Sequence, residues 1–194
     1  MATISEDYKK THGLTPETIA DTMLNFYTKV DEACQKLLDK LERNNIRLNC
    51  KKGCCHCCQD NLTMTQAEAA VIRKLFPNIG NEKPHDPGAC PFLDENGLCR
   101  IYIARPYICR THGLPMRWIE GTDNSDDTSE EDDPIEQRDI CELNDDCIDL
   151  IAISPDLCWN SEVAEMQLAI MNIYTYSAQV RIPMRSFFDH KSRS

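Results

Sequence analysis

Residues 50–60 read CKKGCCHCCQD, with five cysteines in nine positions. Two C-x2-C pairs overlap there, Cys54/Cys57 and Cys55/Cys58, and Cys50, Cys54 and Cys57 form a C-x3-C-x2-C set. Thiolates bind zinc, Cu(I) and iron–sulfur clusters well and hard, oxygen-seeking ions poorly. The C-x2-C spacing lets two sulfurs face one ion from a tight turn. A second group follows at Cys90, Cys99 and Cys109. Thiols at this density point to a soft metal without naming it. His56 is a possible nitrogen ligand, but thiols are abundant and a solvated loop residue is the simpler expectation; His112 is a weaker candidate.

Twelve cysteines in 194 residues would suit a disulfide framework in a secreted protein. The first residues, MATISEDYKK, carry no apolar signal region, and no run approaches the 18 apolar residues of a membrane helix. The expectation is therefore a cytoplasmic protein with reduced thiols engaged in metal or redox chemistry. Cys34 should be a buried, unreactive thiol. Cys141, Cys147 and Cys158 are spaced C-x5-C-x10-C, which is no familiar ligand pattern. One of them could complete a second site brought close by the fold; otherwise they are structural, and Trp159 beside Cys158 suggests apolar packing there.

The two cysteine blocks together resemble the CxxxCxxCC cysteine-cluster family, the YkgJ-like zinc- or iron-chelating proteins. Cys50, Cys54, Cys57 and Cys58 match its first signature. The second appears as CPFLDENGLCRIYIARPYICR, with Cys90-Pro91-Phe92-Leu93, Cys99, Tyr102, Arg105-Pro106 and Cys109-Arg110 in order. The resemblance covers about residues 50–112 and leaves Cys55 outside the pattern. It implies a metal-chelating domain with Cys50, Cys54, Cys57, Cys58, Cys90, Cys99 and Cys109 as ligands of an iron–sulfur cluster, of zinc, or of both. Relatives with this block include flagellin lysine methylases, for which an iron–sulfur cluster is implied.

Four thiolates around Zn²⁺ or a [4Fe–4S]²⁺ core leave a net charge of −2. Lys51, Lys52, Arg100, Arg105 and Arg110 are the nearest bases in sequence and could offset that charge or donate hydrogen bonds to sulfur. The plainer alternative for Arg105 and Arg110 is surface ion pairing.

The elements that must position these thiols are legible in part. Residues 1–14 are polar and expected to fray. Thr15-Pro16 reads as an N-cap and first helical position. Ile19, Met23, Phe26, Val30, Ala33, Leu37 and Leu41 form one apolar stripe on a helix over 16–46. Thr65 and Glu68 form a capping box for a second helix that Pro77 ends. Asn96-Gly97 signals a β-hairpin, and ARPYICR a helical turn starting near Pro106. A last helix begins at Asn160 or Ser161, with Val163, Met166, Ile170, Ile173 and Tyr174 as its apolar face packed against the first helix. The fold expected is α+β and mostly helical: terminal helices around a metal-stapled centre with a short β-hairpin, in one domain over 15–194 whose 135–190 portion is helical.

The net charge of −11 is concentrated in one place. Residues 120–146 hold thirteen carboxylates and one base, Arg138, so the remaining chain is close to neutral. No basic face is available for nucleic acid, and no partner membrane is expected. Residues 121–133 lack apolar anchors and should form a solvated loop, a conceivable docking element for a protein partner. Two other functions remain open. One is an iron–sulfur enzyme, such as a SAM-dependent, methylase-like protein-modifying enzyme, since C-x3-C-x2-C resembles the radical-SAM motif; only seven glycines and no Gly-rich loop accompany it. The other is a zinc-stabilised interaction module. Hydrolytic metal chemistry lacks a His/carboxylate set, and cysteine-nucleophile chemistry lacks a recognisable His partner motif.

Overall fold

The structure, a computed structural model, describes residues 15–51, 53–120, 135–176 and 180–189. The residues expected to fray, 1–14, and the acidic stretch 121–133 lie outside the described residues, as does Lys52. The fold is α+β and mostly helical.

Helix α1 spans Pro16–Arg43. Thr15 caps it: the Thr15 hydroxyl accepts from the Thr18 amide at 3.3 Å and the Thr18 hydroxyl accepts from the Thr15 amide at 2.8 Å. The helix stops three residues short of the expected end because Asn45 adopts a left-handed backbone with φ 61°. Ile19, Met23, Phe26, Val30, Leu37 and Leu41 are buried as the stripe requires, with Cys34 buried among them. Strand β1, Thr63–Thr65, leads into helix α2, Gln66–Leu75, through the Thr65/Glu68 capping box. α2 packs its Ala67, Ala69, Val71 and Ile72 into the core, and its principal partner is α1. The segment around Asn96-Gly97 is an antiparallel arm rather than two full strands. One bridge joins Leu93 and Cys99, and the Asp94 carboxylate takes the amides of Asn96 and Leu98, both at 2.8 Å. Helix α3, Tyr107–Thr111, follows Pro106 as expected.

The rest of the chain holds strands that the sequence reading did not anticipate. β2, Met116–Glu120, pairs antiparallel with β3, Ile135–Asp139, and parallel with β4, Trp159–Asn160. Helix α4, Glu162–Tyr176, packs against α2 and α1, and β5, Arg181–Pro183, pairs antiparallel with β1. The expected face of α4 is corrected. Val163, Met166 and Ile170 are 56%, 57% and 46% exposed, while Ala164, Leu168 and Asn172 point inward. Asn172 decides this rotation, because its side-chain oxygen accepts the Ala67 amide at the open start of α2, at 3.2 Å. Phe187 and Phe188, in the 3-10 turn after β5, stack on Phe92 at 5.6 and 5.2 Å and so bring the chain's end to the cysteine blocks. Among the described residues no helix is long and apolar enough to cross a membrane.

Candidate metal centre

Backbone hydrogen bonds join the two cysteine blocks. The Cys90 amide donates to the Cys58 carbonyl at 2.9 Å, within a chain of tight turns in which Cys54 N–H reaches Lys51 O and Cys58 N–H reaches Cys55 O. The Leu93–Cys99 bridge places Cys99, and α3 places Cys109. Glu68 anchors that helix. Buried at 1% exposure, it accepts the Tyr107 amide at 2.8 Å with one carboxylate oxygen while the other takes the Thr65 amide at 2.7 Å. One carboxylate therefore caps two helices, α2 and the helix that carries Cys109.

Six of the seven expected ligands, Cys54, Cys57, Cys58, Cys90, Cys99 and Cys109, line one cavity of about 390 Å³. The remaining wall is mainly apolar, from residues such as Leu62, Phe92, Ile101 and Met184. Cys50, the seventh expected ligand, stands apart, against Cys141 and Asn144. All twelve cysteines are free thiols. Among the described residues no group of three His, Cys, Asp or Glu side chains is gathered tightly enough to hold one ion. The six thiols ring a hollow instead of converging on a point.

The thiols differ in acidity according to their contacts. The hydrogen bond from Cys58 pushes Cys57 down, with His112 adding a smaller electrostatic contribution, and the same contact pushes Cys58 up. Burial raises Cys90 to about 11 and also raises Cys99 and Cys109. Metal binding requires these thiols to lose their protons, and a bound cation supplies the compensating charge.

Among the described residues, Arg105 is the one charged side chain in the cavity lining. Its guanidinium lies 4.1 Å over the Tyr102 ring, and its Nε is buried without a hydrogen-bond partner among the described residues. A buried donor lacking an acceptor at a wall of sulfurs fits an anionic thiolate centre. Arg105 also lies 3.9 Å from the Asp31 carboxylate, and two of the other expected bases, Arg110 and Arg100, are engaged elsewhere. Arg110 donates to the carbonyls of Arg105 and Ile103, pairs with Asp31 and lies 3.9 Å over Tyr27. Arg100 bonds Glu82 at 2.9 Å and the Pro91 carbonyl at 2.6 Å. His56 is exposed and 3.3 Å from Glu142. Cys55 is exposed and outside the cavity lining, while Cys34 and Cys158 are buried in the core.

Comparison with protein families places residues 49–142 on the CxxCxxCC model, described as a putative zinc- or iron-chelating domain. The match takes in both cysteine blocks and extends just past Cys141, covering somewhat under half of the chain. No curated protein and no solved structure matches.

Sequence reasoning missed two positioning residues. Arg185, far from both cysteine blocks in sequence, bonds Asp60 and the carbonyls of His85 and Ala89. Asn144, fully buried, bonds Asn49, Cys50 and Gly113. Neither position carried a local signal; each acts through a long-range contact.

Proposed function

We propose that this protein binds a polynuclear iron–sulfur cluster in the six-thiol cavity of its CxxCxxCC domain, with four of the cavity cysteines as ligands. The observation that carries this reading is the cavity: six thiols around about 390 Å³ of apolar space, with one guanidinium in its wall. A mononuclear zinc site holds its four sulfurs at about 2.3 Å from the ion and closes on itself, so a hollow of this size is poorly matched to it. A cluster brings its own sulfide and fills such a space. The apolar wall excludes water and lowers the local dielectric, and Arg105 is the available hydrogen-bond donor and counter-charge. When bound, the cluster would supply one-electron chemistry or a redox-sensitive structural staple. The chain's own residues place the thiols: Glu68 fixes Cys109, and Arg185 holds the segments on either side of the Cys58–Cys90 link.

Neither the enzymatic reading nor the docking reading gains a residue from the comparisons. The test is elemental analysis with an absorption spectrum on anaerobically purified protein. Several irons and matching acid-labile sulfide per chain support the reading. Stoichiometric zinc in a colourless sample would replace it with a thiolate zinc centre.

A further inference from the structure

A second cavity, of about 500 Å³, lies between the starts of α2 and α3, the inner side of α4 and β5, and shares no lining residue with the six-thiol cavity. Its size falls within the about 300–1,000 Å³ of small-molecule sites. The deepest groups are polar, and they are already satisfied. Glu68 and Asn172 are each 1% exposed. Glu68 takes the amides of Thr65 and Tyr107 and the Thr65 hydroxyl, and the Asn172 oxygen takes the Ala67 amide. The Trp159 indole N–H donates to the Tyr107 hydroxyl at 2.8 Å, so the aromatic wall is held at both ends. Ile108, Leu168 and Met166 add apolar surface. Met166 belongs to the α4 stripe that the sequence pattern directs into the core; at 57% exposure it borders this cleft instead.

Two charged side chains remain at the exposed lip, Glu165 and Arg181. Arg181 donates through Nε to the Thr63 hydroxyl and through Nη2 to the Thr63 carbonyl, both at 2.8 Å. These bonds fix the guanidinium on β1 and leave Nη1 uncommitted among the described residues. Partial burial raises the Glu165 carboxyl above the ordinary glutamate range, and Arg181 and the Ser161 hydroxyl draw it back only in part. A carboxylate in that position gains from a further cation beside it.

We propose that this cleft binds a small zwitterion with an apolar body, of the class of an apolar α-amino acid or its dipeptide, its ammonium group on Glu165 and its carboxylate on Arg181. An amine alone would leave Arg181 without an anion, and an acid alone would set a second carboxylate beside Glu165. The apolar body covers Ile108, Leu168 and the exposed Met166, removing that surface from water. No cysteine lines the cleft, so the proposal stands apart from the metal reading.

Isothermal titration and thermal-shift measurements on the purified full-length protein test it, with L-leucine, L-leucyl-L-leucine, isocaproate and isoamylamine as probes. At least one zwitterion should bind at one per chain, with the acid-only and amine-only probes about tenfold weaker or worse. Glu165→Gln and Arg181→Gln should each weaken that binding about tenfold, and Arg181→Lys should recover part of the loss. Ile151→Ser, at a 93% exposed position outside the cleft, should bind as wild type does. Arg181 also ties β5 to Thr63, so Glu165→Gln, on the exposed side of α4, separates binding from folding; its melting temperature without ligand should match that of wild type. Absence of binding by either zwitterion up to about 10 mM would overturn the proposal. So would equal affinity for the single-charge probes, or unchanged affinity in Glu165→Gln.

Discussion

Arg185 pairs with Asp60, two residues past Cys58, and donates to the His85 and Ala89 carbonyls at 3.0 Å each, the second directly before Cys90. One guanidinium thereby clamps the chain on both sides of the Cys58–Cys90 hydrogen bond. Arg185→Met should weaken metal retention by about tenfold, in the range seen when residues behind the ligands are lost. Competition with a chelator measures this, and Asp60→Asn should show a smaller effect because the two carbonyl contacts survive.

Glu68 joins α2 to α3 through three donors, the amides of Thr65 and Tyr107 and the Thr65 hydroxyl. Glu68→Ala leaves buried N–H groups without acceptors and should cost about 2–4 kcal/mol in urea unfolding. Glu68→Gln keeps an accepting oxygen and should recover part of that loss.

Several of these elements were legible locally and others were not. Thr15-Pro16, the Ile19–Leu41 stripe and the Thr65/Glu68 box signal helices within a few residues, and the structure follows them. The two cysteine blocks were legible because their residue type and spacing are local, and the structure brings six of the seven expected thiols to one cavity. The inward face of α4 was not, since a hydrophobic pattern over Val163, Met166 and Ile170 was overridden by one buried amide, Asn172, that serves α2. The pairing of β1 with β5, the second role of Glu68 and the meeting of Cys50 with Cys141 join residues about forty to one hundred and twenty positions apart. Such contacts leave no periodicity to read.

Glu136 on β3 lies between Arg117 and Arg138, and the hydrogen bond from Arg138, with Arg117 adding to it, holds its carboxyl below the usual glutamate range. A depressed carboxyl stabilises the fold above its unfolded-state pKa and loses that contribution as pH falls through the lower, folded value. Glu136→Gln should therefore lower the melting temperature at pH 7, and the gap from wild type should close on acidification below about pH 4. Melting curves from pH 7 to 3 check this; a constant gap would show that the ion pairs add nothing.

Arg105 brings the positive charge at the cavity wall; its guanidinium lies 3.9 Å from the Asp31 carboxylate, and its Nε has no hydrogen-bond partner among the described residues. Positive charge favours the reduced, more negative state of a bound cluster. Arg105→Gln should consequently shift the midpoint potential downward, while Arg43→Gln, at the exposed end of α1, should leave it unchanged. Equal potentials in wild type and Arg105→Gln would remove Arg105 from the centre.

The central claim is that the cavity thiols hold an iron–sulfur cluster. The most direct measurement is the absorption spectrum of anaerobically purified protein, with iron, zinc and acid-labile sulfide determined on the same sample. Broad absorption near about 400 nm, with iron and sulfide in matching amounts and lost in Cys109→Ser, is the predicted result. A colourless protein whose metal is zinc alone would contradict it.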